Sequence, residues 1–381
     1  MDAPLRRLRT LSWEDLSWPA NDSYLLALVV IVPLLGAVMI VSANMPFAGG
    51  DGDLLSGPVM KQLGILMGGL VLAVTVSFVD YHAICARWAG LYTITVLALL
   101  GVLVFGYVSD AYSARWYEIG GLTVQPSELA KPVLIVSLSS LAWQFRERIA
   151  TLPVFAKGVL VSGVPIVLVM LQPDLSTSLT LAIAAMAVGL AAGVRLRYLV
   201  LSVTVFVTFA VVLMLARDLD YQIARISAFL DPANSQSANY QIQQATLALG
   251  SGGLTGKGIG MGTIKYLYLP VSSSDSIFAV IGEELGLLGT GAVLGAYLLL
   301  LGRGLWCAYR APDLLGSCLA AGITTSIVAQ AMINMLVITG QVPVTGLPLP
   351  LISAGGTSHI FTMGMLGVLL NVARSSRWAN R

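Results

Sequence analysis

Long apolar segments constrain the fold of this chain more than any other feature of its sequence. A helix that spans a bilayer needs about 20 consecutive apolar residues, and ten segments of this kind occur in the 381 residues. The chain is 57% hydrophobic and 10% charged, with a mean hydropathy of +0.85, whereas soluble domains are about 25% charged. The sequence therefore predicts an all-α polytopic membrane protein, in which residues 1–381 form one membrane domain with ten transmembrane helices. The predicted segments are 24–43, 59–79, 89–108, 128–145, 155–172, 175–193, 198–216, 277–302, 313–340 and 357–374.

The distribution of basic residues orients the predicted bundle. Arginine and lysine concentrate on the cytoplasmic side of membrane proteins. Here they flank both chain ends and the even-numbered connections, whereas the short odd-numbered connections hold only Arg115. We therefore expect both termini to face the cytoplasm, with residues 1–23 as a cytoplasmic N-terminal segment. Residues 217–276, between the seventh and eighth segments, would form a large extracytoplasmic loop.

Composition and spacing exclude several classes of function. A net charge of +2 without a basic run does not favour nucleic-acid binding. The three cysteines have neither disulfide nor zinc spacing. The glycine series "GSGGLTGKGIGMG", residues 250–262, lacks the Walker order because Gly258 follows Lys257, and it lies on the predicted outer side, where ATP is not available. We therefore expect no nucleotide cofactor.

The stretch "LPVSSSDSIFAVIGEELG", residues 269–286, places three carboxylates at and inside the start of a predicted membrane helix. Asp275 follows three serines and precedes an apolar run, which is typical of a helix N-cap. A carboxylate at the outer mouth of a bundle is equally a candidate general base, whose ionised form the helix dipole favours and partial burial disfavours. The residues leave both interpretations open.

Glu283 and Glu284 lie two turns further along the same predicted helix. A charged side chain at the centre of a bilayer costs about 2.5–3.5 kcal/mol on insertion scales. Because adjacent helical residues point about 100° apart, the two carboxylates cannot share one partner. We expect structural pairing with polar groups elsewhere in the bundle.

The motif "QPSELAKP" combines a helix start with two opposite charges. Gln125 and Pro126 end a loop, and Ser127 and Glu128 fit the cap and first turn of the next helix. Glu128 and Lys131 are three residues apart and share a helix face, so an ion pair is expected. Lys131 is the only basic residue well inside a predicted span.

Three further polar residues are candidates in the outer connections. Asp174 in "QPDLST" is expected to cap a helix. Arg225 and Lys257, in the long loop, are candidate phosphate contacts, since arginine binds phosphate through two hydrogen bonds and lysine as a point charge.

These motifs together resemble the SEDS family (shape, elongation, division and sporulation), the RodA and FtsW type. The resemblance covers about Tyr24 to Arg374 and rests on six motifs in order: "RWYEIGGLTVQPSELAK", "QPDLSTS", "RISAFLDP", "YQIQQATLALGSGGLTGKGIG", "YLPVSSSDSIFAVIGEELGLLG" and "PVTGLPLPLISAGGTS". The chain departs from the usual pattern at Ser276, Ser176 and Ala354. These departures leave open whether it is an elongation or a division member.

The resemblance implies a ten-helix peptidoglycan glycosyltransferase that polymerises lipid II at the outer face of the bacterial cytoplasmic membrane. A class B penicillin-binding protein is the implied partner. The family's essential acid corresponds to Asp275. The supporting positions implied by the motifs are Trp116, Gln125, Ser127, Glu128, Lys131 and Asp174, with Arg225, Lys257, Glu283 and Glu284 as further candidates.

Forming a β-1,4 bond from an α-linked donor requires one inverting displacement, so one general base is the minimum equipment. We assign that role to Asp275. The departing pyrophosphate needs positive charge nearby, from Arg225, Lys257, Lys131 or a divalent cation such as Mg²⁺ or Mn²⁺ that Asp275 could help to hold. The alternative function is a lipid II flippase, with Glu283, Glu284 and Lys131 lining a polar path. A scaffold without activity would leave the buried acids unexplained.

Overall fold

A computed structural model describes residues 23–44, 57–105, 107–108, 114–119, 122–216, 236–263 and 274–376. Twelve α-helices, a one-turn 3-10 helix (Arg146–Arg148) and one small sheet form in this part of the chain. The helices are α1 (Ser23–Ala43), α2 (Gly57–Phe78), α3 (Tyr81–Cys85), α4 (Trp88–Phe105), α5 (Pro126–Gln144), α6 (Leu152–Leu171), α7 (Leu175–Ala191), α8 (Leu196–Ala216), α9 (Gln236–Ser251), α10 (Ile277–Arg310), α11 (Leu314–Ile338) and α12 (Gly356–Ser375). The strands are β1 (Tyr107–Val108), β2 (Ala114–Ile119) and β3 (Leu122–Val124).

The predicted polytopic membrane architecture is confirmed. Eight helices of the described residues are long and apolar enough to cross a membrane, namely α1, α2, α4, α6, α8, α10, α11 and α12. The remaining predicted segments, 128–145 and 175–193, form α5 and α7. Helix α7 has 17 residues, and α5 carries a buried lysine and glutamate.

Three elements were not predicted as such from the sequence. The predicted span 89–108 ends at Phe105, and the chain continues into an antiparallel sheet with the strand order β1-β2-β3. The short helix α3 lies between α2 and α4, and α9 lies within the predicted loop 217–276. These elements fall in connections, where apolar periodicity carries little information.

Helices α11 and α12 form the centre of the bundle, whereas α8 lies at its periphery. About 72% of the apolar window of α11 is buried, against 6% for α8. Helix α11 packs against α5, α7, α10 and α12. At Gly322, a β-carbon would lie 2.6 Å from Val188 and 2.9 Å from Ile135, so only glycine allows this approach of three helices. We call the end of the bundle that holds the N-termini of α5, α7 and α10 the outer end, following the charge distribution, and the opposite end the inner end.

Helix α10 is broken at Gly286, which adopts φ 65° and ψ −161°. Its 34 residues would make a straight helix about 51 Å long, whereas the hydrocarbon core is about 30 Å thick. The break frees backbone groups, and the glycine-rich segment 252–263 binds them. Lys257 N donates to Glu283 O at 3.0 Å, and Leu287 N donates to Gly253 O at 2.9 Å. The glycines therefore serve close backbone approach, which satisfies polar groups that lipid could not.

Candidate active site

Asp275 lies in the turn formed by residues 274–276, directly before α10 at the outer end. The helix is capped by Ser276, without a side-chain cap bond, so the interpretation of Asp275 as the N-cap is wrong. The turn continues one residue beyond the expected helix start, so Asp275 precedes the N-cap residue. Asp275 is partly exposed, and Ser274 Oγ donates to its Oδ1 at 2.7 Å.

Helix α11 fixes the backbone of this turn. Asn334 Nδ2 donates to Asp275 O at 2.8 Å and to Leu347 O at 2.7 Å. Asn334 is 2% exposed, so both hydrogen bonds are shielded from water. One amide group thus links the 274–276 turn to residues 341–355, which we call the outer loop.

The outer loop also lies close to the Asp275 side chain. Gly346 adopts φ +69°, and a β-carbon at this position would lie 3.5 Å from Asp275 Oδ2. Ser353 Oγ donates to Ser274 O at 2.7 Å and accepts from Leu349 N at 2.7 Å. The backbone on both sides of the Asp275 carboxylate is therefore hydrogen-bonded to α11 and to the outer loop.

A buried chain of polar groups leads from α5 to the same loop. Lys131 Nζ donates to Glu128 Oε1 at 2.8 Å and to Gln330 Oε1 at 2.7 Å. Gln330 Nε2 donates to Pro348 O at 2.9 Å. Lys131 is 1% exposed, so the expected ion pair forms inside the bundle. Gln330 lies one helical turn from Asn334, so a single face of α11 joins this ion pair to the Asp275 turn.

The start of α5 differs from the expectation at Ser127. The N-cap is Gln125, which makes no side-chain cap bond, and Pro126 occupies the first helical turn. Ser127 is buried, and its hydroxyl has no hydrogen-bond partner among the described residues. Proline at this position needs no cap bond because it lacks an N–H group. Glu128 lies in the first turn, as expected for an acidic residue.

Asp174 caps α7, as the sequence predicts. Its Oδ1 accepts from Thr177 N at 3.0 Å and its Oδ2 from Thr177 Oγ1 at 2.8 Å. Gln125 Nε2 lies 3.4 Å from Asp174 Oδ2 and links the start of α5 to this cap. Ser176 Oγ donates to Thr345 O at 3.0 Å, so α7 also supports the outer loop.

Glu283 and Glu284 are both fully buried and have separate partners, as expected. Glu283 Oε1 lies 2.7 Å from Lys257 Nζ and accepts from Thr263 N at 2.8 Å. Ser42 Oγ in α1 donates to Glu284 Oε1 at 2.7 Å. These contacts anchor the glycine-rich segment and α1 to the broken part of α10. Both glutamates therefore have a structural role in this arrangement.

The other candidate residues occupy different positions. Trp116 lies half-buried in β2, paired in register with Tyr107. Arg225 lies outside the described residues. In the part of the chain that the structure describes, no three His, Cys, Asp or Glu side chains lie together as metal ligands.

Sequence reasoning did not identify Gln330, Asn334, Gly346 and Ser353. A signal for two of them exists in "VAQAMINML", where two amide side chains lie four residues apart inside an apolar helix. Such a spacing places both on one helix face. Gly346 and Ser353 lie in an irregular loop, where no periodic pattern predicts neighbours.

Comparison with known proteins shows extensive similarity. The sequence model of the FtsW, RodA and SpoVE family, described as cell cycle proteins, matches residues 22–378. "Probable peptidoglycan glycosyltransferase FtsW" of Geobacter sp. (strain M18) is 36% identical over 368 residues, covering 94% of this chain and 98% of that protein. "Stage V sporulation protein E" of Bacillus subtilis is 33% identical over 364 residues, covering 94% and 98%. "Peptidoglycan glycosyltransferase MrdB" of Escherichia coli (strain K12) is 33% identical over 345 residues, covering 89% and 91%.

Solved structures share the fold. A chain from a peptidoglycan synthase complex, studied for its coordination of polymerization and crosslinking, superposes with a TM-score of 0.76 at 29% identity and covers 94% of this chain and 99% of its own. The rod shape determining protein RodA of Thermus thermophilus superposes with a TM-score of 0.69 at 28% identity and covers 94% and 98%.

Proposed function

The chain belongs to the FtsW, RodA and SpoVE family of cell cycle proteins, and from this membership we propose that Asp275 is the general base of its glycosyl transfer. The protein is a peptidoglycan glycosyltransferase. We propose lipid II, an undecaprenyl-pyrophosphate-linked disaccharide peptide, as its substrate.

The proposed reaction is a single inverting displacement. The 4-hydroxyl oxygen of the acceptor sugar attacks the anomeric carbon of the donor and forms the β-1,4 bond. Asp275 takes the hydroxyl proton, and the bond from the anomeric carbon to the pyrophosphate oxygen breaks, with its electron pair leaving on the pyrophosphate. A positioned base contributes about 10²–10⁴-fold to such a step. The donor is already activated, so no nucleotide takes part.

The position of Asp275 is the observation that supports this role. It is partly exposed at the outer end of the bundle, whereas Glu128, Glu283 and Glu284 are buried and bound to other groups. The N-terminus of α10 lies one residue away and favours the ionised carboxylate. Asn334 and Ser353 fix the backbone on both sides of it. A base must be both accessible and held in place, and Asp275 meets both conditions.

The departing pyrophosphate needs positive charge nearby, and two lysines and one arginine are candidates. Lys257 is bound to Glu283, but its side chain is 33% exposed, so its ammonium group can also reach a phosphate. Arg225 remains a proposed phosphate contact from the long loop. Lys131 is buried in its ion pair, and we propose that it positions the outer loop through Gln330.

We further propose ten membrane spans, in which α5 and α7 cross the bilayer together with the eight apolar helices. Their polar residues face other helices instead of lipid, which makes them less apolar but still compatible with a span. The active face would then be extracytoplasmic and the membrane the bacterial cytoplasmic membrane. The long loop 217–276 would lie between the seventh and eighth spans.

A class B penicillin-binding protein is the proposed partner. The similarity to a chain of a synthase complex that couples polymerization to crosslinking supports this assignment. Crosslinking is the chemistry that a transpeptidase of that class would add to the new glycan strands.

The test of this function compares the wild-type protein with Asp275→Asn, purified with the partner and supplied with lipid II. We expect glycan polymer from the wild type and loss of about 10²-fold or more in the variant. Glu118→Gln removes an exposed carboxylate from β2 at the same end and serves as the matched control. Equal polymer from wild type and Asp275→Asn would remove Asp275 from the mechanism. Transport of labelled lipid II across liposomes without polymer would instead establish the flippase alternative.

A further inference from the structure

A large apolar cavity lies away from the proposed active site, between α5, α6, α7 and α8. Its volume is about 450 Å³, within the range of small-molecule pockets, about 300–1,000 Å³. Its lining is almost entirely apolar and includes Met170, Met186 and Phe206. Because α8 is the least buried of the apolar helices, the cavity lies at the lipid-facing side of the bundle.

The cavity runs along α6 from Val154 to Met170, whereas on α5 it is confined to the inner half of the helix. Helix α5 contributes only Leu138, Leu141 and Ala142, all near its inner terminus. Lys131 lies seven residues from Leu138, which is about 10 Å along the helix. On α8 the lining starts at Leu199, close to the inner terminus. The 274–276 turn and the outer loop, both described in the structure, contribute no residue to its lining.

Two glycines in α6 leave room in the cavity wall. Gly158 and Gly163 both line it, and a β-carbon built at either position would meet nothing within 4 Å. Elsewhere in this bundle glycines permit helix contact, as at Gly322. Here they leave open volume that a side chain could fill without a clash.

Basic side chains surround the inner end of the cavity. The two connections beside it, residues 145–158 and 192–198, contain five basic residues and one acidic residue, Glu147. The basic residues are Arg146, Arg148, Lys157, Arg195 and Arg197, all exposed. None of them pairs with a carboxylate among the described residues.

Aromatic rings hold these basic side chains at the rim. Phe155, which lines the cavity, stacks on Tyr198 with ring centroids 4.8 Å apart and joins the starts of α6 and α8. The guanidinium of Arg197 lies 4.9 Å from the Tyr198 ring, and Lys157 Nζ lies 4.5 Å from the Phe145 ring. Aromatic and basic side chains together are typical of the level of lipid headgroups.

We propose that this cavity binds an anionic diacyl glycerophospholipid of the inner leaflet, with an acyl chain between α6 and α8 and the phosphate among Lys157, Arg195 and Arg197. Basic pockets between membrane helices on the cytoplasmic side bind anionic headgroups. The apolar volume accepts the chain, and the unpaired positive charge accepts the phosphate. This site goes beyond the proposed glycosyl transfer and does not depend on it.

The binding test uses native mass spectrometry of the full-length protein titrated with phosphatidylglycerol or with phosphatidylcholine carrying the same acyl chains. The wild type is expected to bind phosphatidylglycerol at least 10-fold more tightly. Arg195→Gln/Arg197→Gln is expected to weaken this binding roughly 30-fold, since each basic residue near anionic lipid contributes about fivefold. Arg87→Gln/Arg310→Gln removes the same charge from the inner end away from the cavity and should bind like the wild type.

Filling the cavity tests the chain-binding part separately. Gly163→Phe is expected to abolish phosphatidylglycerol binding, and Gly158→Leu provides a second variant should the first fail to fold. A photoactivatable acyl chain on phosphatidylglycerol should crosslink to α6 and α8. Equal binding of the two lipids, equal loss in both charge variants, or unchanged binding in a folded cavity-filled variant would overturn the proposal. Specific crosslinking of a polyisoprenyl lipid or of a partner's membrane helix at these positions would also overturn it.

Discussion

The side-chain amide of Asn334, in α11, donates a hydrogen bond of 2.8 Å to the backbone carbonyl oxygen of Asp275. The same amide group holds Leu347 O at 2.7 Å. The proposed base therefore takes its position from a residue that does not touch its carboxylate. Asn334 therefore acts as a positioning residue, and its removal should lower the turnover rate more than it changes substrate binding.

Replacing Asn334 with alanine should lower kcat about 100-fold with a smaller change in KM, because a displacement of about 1 Å at the reacting groups has that effect. The two released carbonyls, if unsatisfied, also cost about 1–3 kcal/mol each in free energy of unfolding. Steady-state polymerisation kinetics at a fixed amount of folded protein measure the split. Thr339→Ala, at the C-cap of the same helix, loses bonds only to the preceding turn and is the control. If the activity per amount of folded protein equals that of the wild type, Asn334 stabilises the fold but does not position the base.

The buried pair of Lys131 and Glu128 allows a charge-balance test of stability. Lys131→Met leaves the Glu128 carboxylate buried without its cation, which should reduce the free energy of unfolding by about 3–5 kcal/mol. Glu128→Gln/Lys131→Met removes both charges and should recover much of that loss. Thermal unfolding in detergent measures both variants. A double variant as unstable as the single one would show that the pair does not act through its charges.

A pH dependence is expected from His82, in the inner connection formed by α3. Burial lowers the pKa of His82, but hydrogen bonds to Asp80 and Asp313 outweigh this effect, so that its pKa is raised above 6.5. A raised pKa means that protonated His82 stabilises the fold below about pH 6.5, and that this contribution is lost as the pH rises through the folded-state pKa. The effect should be modest because the side chain is half exposed and solvent screens it.

The measurement for His82 compares wild type with His82→Gln across pH 6 to 9. The difference in melting temperature between the two proteins should be largest at pH 6 and should shrink toward pH 9. A difference that grows with pH would show that the neutral imidazole is the stabilising form.

The sequence predicted those features of the fold that depend on long apolar periods or on short local motifs. The helices, the cap at Asp174 and the pair of Glu128 with Lys131 belong to this group, since each involves residues within a few positions of one another. Glu283 and its partner Lys257 are 26 residues apart in the sequence. The sequence predicted that a buried Glu283 carboxylate needs a polar partner, but not which residue provides it. Neighbours this distant in sequence depend on tertiary packing.

The environment of Asp275 shows where local reasoning fails. Its sequence context is typical of an N-cap, yet the helix starts after Ser276. The turn is held from outside by Asn334, which is 59 residues away, and by Ser353, which is 79 residues from its partner Ser274. Tertiary hydrogen bonds thus overrode the local capping preference. No pattern within residues 269–286 contains that information.

The break in α10 at Gly286 provides the most direct test of how the glycine-rich segment supports the fold. Gly286 has φ +65°, and a β-carbon there would lie 2.4 Å from Gly256 N and 2.6 Å from Leu254 O. Gly286→Ala should therefore straighten or displace this part of α10 and release the bonds that join it to residues 252–258. Overpacking alone costs about 1–3 kcal/mol, and the freed backbone groups add to that loss.

Gly291→Ala is the matched control for this break, because it lies five residues further along α10 and a β-carbon there meets nothing within 4 Å. It should be neutral or slightly stabilising, since alanine is favoured over glycine in a helix by up to about 1 kcal/mol. Melting temperatures of the two variants, with protease sensitivity of residues 252–263, measure the difference. If both variants melt like the wild type and segment 252–263 stays protected, the backbone bonds across the break do not stabilise the fold. Since the Glu283 carboxylate binds Lys257 and Thr263 of this same segment, that ion pair and hydrogen bond would then be the remaining cause of its order.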